Sequence, residues 1–380
     1  MSDQISLGTE TRARARELGI TIGELAPGPF NAITDVAGIR VGHTTLIEGE
    51  GPLVVGEGPV RTGVTVIVPH DGAIGDEPLF AGVHVLNGNG EMTGTIWIEE
   101  SGLLTSSIAI TNTHSVGVVH DALIAHDVKH RPRRPAWSLP VVAETWDGYL
   151  SDIDGQHVRP EHVSAALETA TSGPVAEGCV GGGTGMICHE FKGGIGTASR
   201  RLGAADGGWT VGVLVQANYG QRRLLRVDGV PVGRMIPHAE VPEADDDLPP
   251  GSGSIIIIAV TDAPLLPHQC RRLAQRATIG LARTGGIGAD SSGDIFLAFS
   301  TANRQRHESG SPPLPLTVQS LPNGAMSPLF EAVADATEEA ILNALCQAVT
   351  TTGINDRVVH AIPLDRLRQI MAGAGRIGAQ

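Results

Sequence analysis

Residues 251–261 read Gly-Ser-Gly-Ser-Ile-Ile-Ile-Ile-Ala-Val-Thr, a small flexible tetrapeptide that runs directly into a block of apolar, mostly β-branched residues. A half-buried strand would alternate apolar with polar side chains, so this unbroken block predicts a strand that is buried on both faces. Ser254 is therefore expected to be the first residue of a core strand.

The segment before this strand is acidic and rich in proline. Residues 238–250 read His-Ala-Glu-Val-Pro-Glu-Ala-Asp-Asp-Asp-Leu-Pro-Pro, which offers too little apolar surface to offset the entropy lost on ordering. The sequence thus predicts an exposed linker that ends close to a packed core, an arrangement that suits cleavage of the Gly253–Ser254 bond. Glycine on the acyl side tolerates a strained conformation and has no side chain to block attack by the neighbouring hydroxyl.

Cleavage would leave Ser254 with a nucleophilic hydroxyl and a nearby α-amine. The reference pKa of that amine, about 7.7–8.0, makes it usable as a base near neutral pH. The alternative is a Gly-Ser linker that leads into an ordinary strand, because Gly and Ser before a strand are common turn chemistry. The stretch by itself leaves both interpretations open.

Composition narrows the class of protein. The chain of 380 residues has 50 glycines, only 3% aromatic residues and a formal net charge of −14. Nucleic acids and anionic membranes select basic surfaces, so neither is expected as the main partner. The polar first residues and the lack of an apolar run of about 18 residues predict a cytoplasmic protein without a membrane span. The four widely spaced cysteines predict reduced thiols rather than a disulfide framework or a zinc ribbon.

Helical and strand patterns are mixed along the chain. Strands come in consecutive groups as well as in alternation with helices, which favours a layered α+β sandwich over a doubly wound parallel fold. Helices are predicted over residues 11–18, 117–128, 161–171, 266–284, 328–349 and 364–371, and firm strands over residues 62–69, 209–218, 254–261 and 295–300. Length alone does not decide between one domain and two.

Several kinds of site are poorly supported. The fourteen histidines form no His-Glu-x-x-His motif and no cluster at ligand spacing, so no metal is expected. No Gly-x-Ser-x-Gly stands between a strand and a helix, which argues against a nucleophile elbow. The glycine-rich residues 178–187 lack the features of a nucleotide loop and indicate close backbone approach instead. An N-terminal nucleophile remains, and it requires an oxyanion donor and a group that orients the base.

Four motifs, in order along the chain, carry a family resemblance. They are Gly-Gly-Gly-Thr-Gly at 181–185, Val-Gly-Val-Leu-Val-Gln-Ala-Asn-Tyr-Gly at 211–220, Gly-Ser-Ile-Ile-Ile-Ile-Ala-Val-Thr-Asp-Ala-Pro-Leu at 253–265, and Ser-Gly-Asp-Ile-Phe-Leu-Ala-Phe-Ser-Thr-Ala-Asn at 292–303. The chain thereby resembles the DmpA family, the group of L-aminopeptidase/D-Ala-esterase/amidases and β-peptidyl aminopeptidases. The likeness extends from Asn31 to the predicted helix around Leu342.

The resemblance implies a self-processing hydrolase with a single domain that needs no cofactor. Cleavage before Ser254 would give an α chain of residues 1–253 and a β chain of residues 254–380. The implied fold is a four-layer αββα sandwich, similar to that of N-terminal nucleophile hydrolases but with different connectivity. The implied assembly is a tetramer of αβ units.

By motif, Ser254 matches the family's nucleophile and Asn218 the side-chain donor of its oxyanion hole. Ser292 and Asp294 match the Ser-x-acid pair beside the nucleophile, and Glu144 matches the carboxylate that receives the substrate's free amine. The physical alternatives are a strand-end Asn that caps a turn, a Ser or Asx turn in a glycine-rich loop, and a plain surface carboxylate.

One position departs from the family pattern. Trp146 stands where members with D-alanine esterase activity carry tyrosine, and an indole N–H can donate a hydrogen bond but cannot accept one. We expect Trp146 to line the substrate pocket, and the esterase preference does not carry over.

The predicted function is that of an autoprocessing aminopeptidase/amidase. It would release small N-terminal residues, with β- and D-amino acids as candidates, from short peptides, amides or esters through an acyl-Ser254 intermediate. One alternative is an acyltransferase of the ornithine acetyltransferase type, although those enzymes use threonine at the new N-terminus. The other is an uncleaved small-molecule binding protein.

Overall fold

The computed structural model describes residues 11–130, 137–244, 253–305, 315 and 317–378. Gly251, Ser252 and residues 245–250 of the predicted acidic linker lie outside these ranges. The strands are β1 (Arg40–Glu48), β2 (Val60–Val68), β3 (Leu79–Gly88), β4 (Leu103–Leu104), β5 (Ile108–Asn112), β6 (Val141–Thr145), β7 (Ile187–Cys188), β8 (Phe191–Lys192), β9 (Gly194–Arg201), β10 (Thr210–Asn218), β11 (Gly253–Thr261), β12 (Ser292–Arg304), β13 (Thr351–Thr352) and β14 (Val358–Val359).

The helices confirm most of the sequence pattern. They are α1 (Thr95–Ser101), α2 (Val116–His130), α3 (Pro160–Glu168), α4 (Val232–Met235), α5 (Pro267–Arg283), α6 (Ser327–Gln347) and α7 (Leu364–Gly373). Short 3-10 turns cover Ala15–Leu18, Ile33–Asp35, Thr113–Ser115, Gly181–Gly183, Ala204–Asp206, Arg222–Leu224, Asn323–Ala325 and Ile354–Asp356. No helix in the described ranges is long and apolar enough to cross a lipid bilayer.

Two large sheets stack between two layers of helices. One sheet has the order β1-β2-β5-β6 and the other the order β4-β3-β12-β11-β10-β9. Helices α5 and α6 cover the outer face of the six-stranded sheet, α2 and α3 cover that of the four-stranded sheet, and a third apolar cluster fills the space between the sheets. This is the αββα sandwich that the sequence analysis predicts.

Strand β11 occupies the middle of the six-stranded sheet. It pairs with β12 in parallel and with β10 in antiparallel orientation. Ile255 and Ile257 pack on the helices, whereas Ile256 and Ile258 pack between the sheets, and none of the four is exposed. The unbroken apolar block therefore serves two cores at once, as predicted.

Two local predictions need correction. Strand β12 begins at Ser292 rather than Ile295, because pairing with β11 already starts at Gly253 and Ser292. The predicted helix over residues 11–18 is only the 3-10 turn Ala15–Leu18. The Arg14 side chain there donates hydrogen bonds to distant main-chain carbonyls, and such tertiary contacts override a short segment's helical propensity.

Candidate active site

Ser254 lies at the start of β11, where the chain enters the core. Its side chain lies on the same face of β11 as those of Ile256 and Ile258, so its hydroxyl faces the space between the two sheets. The residue is buried, and Oγ accepts a hydrogen bond of 3.1 Å from the main-chain N–H of Gly293 on β12. The hydroxyl is thus held in place while its own proton remains free to leave.

Gly253 provides the acyl side of the predicted cleavage bond. Its φ of +139° lies in the region that disfavours residues with a side chain. A Cβ there would lie 2.1 Å from the carbonyl oxygen of Asn218. Only glycine fits between the ends of β10 and β11 without moving Asn218.

Asn218 is the last residue of β10 and pairs with Ser254 across the two strands. Its Oδ1 accepts a hydrogen bond of 2.7 Å from the main-chain N–H of Ile187, and its Nδ2 donates one of 3.0 Å to the carbonyl oxygen of Trp146. A side-chain amide has two N–H groups, so the second can face an oxygen beside Ser254. The amide orientation that an oxyanion donor requires is therefore fixed by two main-chain groups.

Ser292 and Asp294 lie together at the start of β12. Ser292 Oγ donates a hydrogen bond of 2.6 Å to Asp294 Oδ1, and both residues are buried. Ser292 and Asp294 lie on the same face of β12 as Phe296, which packs on the helices, so the pair lies on the helix-facing side of the sheet. The Asp294 carboxylate also accepts a bond from the main-chain N–H of Ile255, and burial raises its pKa above the ordinary value. The pair thus lies beside the main chain at the start of β11.

Glu144 comes from the other sheet, near the end of β6. Its oxygens accept hydrogen bonds from the N–H of Glu91, at 3.0 Å, and from the hydroxyl of Thr113. Burial raises the pKa of this carboxyl group, with smaller opposing effects from the two hydrogen bonds. A Cβ at Gly90 would lie 3.2 Å from Glu144 Oε1 and 3.1 Å from the Cα of Gly293. One small residue therefore separates the carboxylate from the group that binds the Ser254 hydroxyl.

Trp146 follows β6 and joins the site through its main chain and its side chain. Its carbonyl oxygen holds the Asn218 amide, while 39% of the residue is exposed. The indole lies against Gly148, where a Cβ would come within 2.5 Å of the ring. This position is compatible with a pocket wall, as the sequence analysis expects.

A cavity of about 120 Å³ opens on the helix-facing side of this region. Its lining includes Ser292, Asp294, Tyr219 and the glycine-rich residues 285–289. The predicted site residues thus fall into two sets around the start of β11. Ser254 and Asn218 face the space between the sheets, with Glu144 beyond Gly90, and Ser292 and Asp294 belong to the cavity side.

Several contributors carry no sequence signal. Three of them are main-chain groups, the N–H groups of Ile187 and Gly293 and the carbonyl of Trp146, whose roles do not depend on side-chain identity. Lys192 is fully buried beside the glycine-rich residues 183–186, and nothing in its local sequence indicates a partner. Hydrogen bonds of this kind depend on strand register, which the sequence pattern does not supply.

A candidate cation group occurs elsewhere in the described part of the chain. Ligand atoms of Glu190, His238 and Glu243 lie within 4.8 Å of one another, and none of these residues is a predicted site residue. The ring nitrogens of His238 lie 3.3 Å from a carboxylate oxygen of Glu190 and 2.7 Å from one of Glu243. The expectation that catalysis needs no metal or other cofactor stays a prediction.

Comparison with known proteins decides the family. The model of peptidase family S58 matches residues 31–359, which is most of the chain. The chain belongs to this family. Among its relatives, the β-peptidyl aminopeptidase BapA of Sphingosinicella microcystinivorans is 50% identical to this chain, over 96% of this chain and 93% of its own length.

Two solved structures agree with the fold. The β-aminopeptidase of a Burkholderia species is 55% identical, with a TM-score of 0.88 over 97% of this chain and all of its own. The L-aminopeptidase D-Ala-esterase/amidase of Ochrobactrum anthropi is 44% identical, with a TM-score of 0.88 over 96% of this chain and 99% of its own. The latter is described as a prototype for the serine aminopeptidases and as a variant of the Ntn hydrolase fold.

These matches confirm the predicted family and the predicted enzyme class. This S58 protein is a serine-type aminopeptidase, and the interpretation as a binding protein without catalytic activity is wrong. The roles of the individual site residues are not tested by the comparisons and stay predictions.

Proposed function

We propose that this aminopeptidase cleaves itself before Ser254 and then releases N-terminal residues, β-amino acids among them, from short peptides and amides through an acyl-Ser254 intermediate. The observation that carries the proposal is that an oriented amide donor, Asn218, pairs with Ser254, while a buried carboxylate, Glu144, lies across Gly90 from the residue that binds the Ser254 hydroxyl. The β-peptide preference is supported by two relatives named as β-peptidyl aminopeptidases, at 50% and 47% identity.

Self-cleavage would begin from the uncut chain. The Ser254 oxygen attacks the Gly253 carbonyl carbon, the C–N bond breaks, and the Ser254 nitrogen takes up a proton to become a free amine. Water then hydrolyses the ester that has formed, which leaves a carboxylate on Gly253. The amide of Asn218 can stabilise the oxyanion of both steps, and removal of one such donor typically costs about 10²–10³ in rate.

Turnover would use the same groups. The α-amine of Ser254 accepts the proton of its hydroxyl, the oxygen attacks the substrate carbonyl, and the departing amine takes that proton as the C–N bond breaks. Water hydrolyses the acyl-enzyme in a second half-reaction. Ser292 and Asp294 lie beside the main chain at the start of β11, so they are placed to bind and orient the new amine rather than the hydroxyl.

Glu144 explains the requirement for a free N-terminus in this scheme. A substrate ammonium would form a charge-assisted hydrogen bond with its buried carboxylate. An internal peptide bond offers no such cation, which favours an aminopeptidase over an endopeptidase.

We also propose that the chain forms a single domain, that it assembles as a tetramer of αβ units and that it is cytoplasmic. The family resemblance supports the first two of these proposals.

Intact mass and N-terminal sequencing of the purified chain test the proposal. Wild-type protein is expected to give two chains, the smaller beginning Ser-Ile-Ile-Ile, and to hydrolyse β-alanine p-nitroanilide. Ser254→Ala should remain a single chain of 39.4 kDa without activity, whereas the neighbouring variant Ser252→Ala should behave like wild type. A Ser254→Ala protein that still splits at this bond would overturn the proposal.

A further inference from the structure

Lys192 is a fully buried lysine in β8, close to the predicted active site. Its Nζ donates hydrogen bonds to the carbonyl oxygens of Met186 at 2.7 Å, Gly193 at 2.9 Å and Gly183 at 3.4 Å. An ammonium has three N–H donors, so all three are used. Lysine is almost never fully buried unless it is paired, and burial lowers the pKa of this one. Such a costly charge calls for an explanation.

The residue type fits three converging carbonyls. The sequence contains only two lysines, Lys129 and Lys192, and its other permanently charged basic side chains are arginines. An ammonium is compact and turns its three donors freely, whereas a guanidinium presents a planar fork. The carbonyl oxygens of Gly183, Met186 and Gly193 surround one point, which suits the ammonium.

One peptide unit links Lys192 to Asn218. The carbonyl of Met186 and the N–H of Ile187 belong to the same planar group, and they point in opposite directions. Lys192 holds the oxygen at 2.7 Å, and Asn218 Oδ1 accepts the N–H at 2.7 Å. A cation on the oxygen polarises the group and strengthens the N–H as a donor, since hydrogen bonds in a chain reinforce one another.

The Met186 side chain and the Asn218 amide are also contacted from the four-stranded sheet and the residue that follows it. The hydroxyl of Thr145 donates to the sulfur of Met186 at 2.8 Å, and Trp146, the next residue after Thr145, accepts the Nδ2 bond of Asn218. The side-chain amide of Asn218 is therefore held at both ends by elements that meet at Met186. The segment around Met186 therefore helps to fix the orientation of the Asn218 side chain.

Amide orientation matters for the reaction. With Oδ1 occupied by the Ile187 N–H, the NH₂ group of Asn218 faces Trp146 and the space beside Ser254. A flipped amide would present its oxygen to the developing oxyanion, which would repel it. The Ile187 N–H, together with the Trp146 carbonyl, distinguishes the two orientations.

We infer that Lys192 is a positioning residue for the aminopeptidase reaction, which acts through the Met186–Ile187 peptide to hold the Asn218 amide in its productive orientation. The inference rests on the proposed role of Asn218 as oxyanion donor. It assigns no substrate contact to Lys192 itself.

Lys192→Met in the full chain tests the inference, because methionine keeps the length of the side chain and removes its donors. Rates are measured with β-alanine p-nitroanilide and normalised to the processed chain found by intact mass. We expect kcat to fall by about 10–10²-fold, less than the about 10²–10³-fold loss for a missing oxyanion donor, because the Asn218 amide is still present. KM should stay near the wild-type value, since the Glu144 contacts lie elsewhere. The matched control Lys129→Met, at the exposed end of α2, should retain wild-type kcat.

A double-mutant cycle with Asn218→Ala separates positioning from general damage. If Lys192 acts through Asn218, Lys192→Met should change kcat little in the Asn218→Ala background, because coupled residues are not additive. Equal losses in both backgrounds, a raised KM with unchanged kcat, or full activity of Lys192→Met would each overturn the inference. Full activity of Asn218→Ala would instead refute the proposed oxyanion role, which is a separate result.

Lys192→Gln keeps the test decisive if Lys192→Met does not fold. Glutamine retains two neutral donors without the charge, so we expect kcat between those of wild type and Asn218→Ala, with a wild-type KM. A Lys192→Gln protein that melts cooperatively and has wild-type kcat would contradict a role for the ammonium.

Discussion

Ser292 Oγ donates a hydrogen bond of 2.6 Å to Asp294 Oδ1, and the pair lies on the opposite side of the six-stranded sheet from the hydroxyl of Ser254. The sheet separates the Ser254 hydroxyl from the Ser292–Asp294 pair, so the pair does not contact the nucleophilic oxygen directly. The main-chain nitrogen of Ser254 lies in the plane of the sheet between them. The pair is therefore better placed to act on the amine that cleavage would release.

We predict that Ser292→Ala and Asp294→Asn slow turnover by about 10²-fold or more, the usual range for a lost proton-transfer partner. Both remove a group that would orient the α-amine, while Asn218 and Glu144 keep their contacts. Steady-state kinetics on processed enzyme check this prediction. Ser291→Ala, at the exposed neighbouring position, is the control and should retain activity. Wild-type kcat in Ser292→Ala would rule out the role.

Glu144 predicts a pH effect on amine binding. Burial raises the pKa of its carboxyl group, so the negative charge is lost at a higher pH than for an exposed glutamate. The Ki of propylamine as a competitive inhibitor should therefore rise as pH falls through that raised pKa. Glu144→Gln should bind the amine weakly and without this dependence.

Glu91→Gln is a matched control for the Glu144 experiment. It keeps the main-chain N–H that binds Glu144 and removes a nearby negative charge that helps to raise the Glu144 pKa. The pH dependence of Ki should persist and move to slightly lower pH. An identical pH profile of Ki in wild type and Glu144→Gln would show that another group binds the amine.

Gly253→Ala is predicted to slow self-cleavage. The added Cβ would meet the carbonyl oxygen of Asn218 at 2.1 Å in a conformation with φ of +139°, so the ends of β10 and β11 would have to separate. Uncut precursor should accumulate, as followed by gel electrophoresis over time. Gly117→Ala, on the helical segment α2 with no atom near the new Cβ, should process at the wild-type rate. Rapid processing of Gly253→Ala would contradict the need for glycine.

Trp146→Tyr is predicted to raise hydrolysis of D-alanine methyl ester relative to β-alanine p-nitroanilide. A phenol both donates and accepts hydrogen bonds, whereas an indole only donates. Activity on the anilide should persist, because the Trp146 carbonyl that holds Asn218 belongs to the main chain. Trp137→Tyr, at an exposed position, should leave the ratio of kcat/KM values unchanged. An unchanged ratio in Trp146→Tyr would show that this side chain does not set the ester preference.

The sequence determined the features that depend on local pattern. Consecutive apolar residues at 255–260 required a strand between two cores, and periodic segments located helices such as α5 and α6. Motif order identified the family and pointed to Ser254, Asn218, Ser292, Asp294 and Glu144. These features can be predicted without coordinates because the type and spacing of residues indicate which side chains are buried and which can take part in catalysis.

The tertiary structure alone decided how those groups face one another. The register of β11 with β12 placed Ser292 and Asp294 on the helix side of the sheet, and the pairing with β10 brought Asn218 opposite Ser254. The roles of the Ile187 N–H and of the Lys192 ammonium arise from contacts with main-chain groups. Main-chain N–H and C=O groups are nearly the same in every residue. The pattern of side chains therefore does not predict which main-chain groups will contact Asn218 or Lys192.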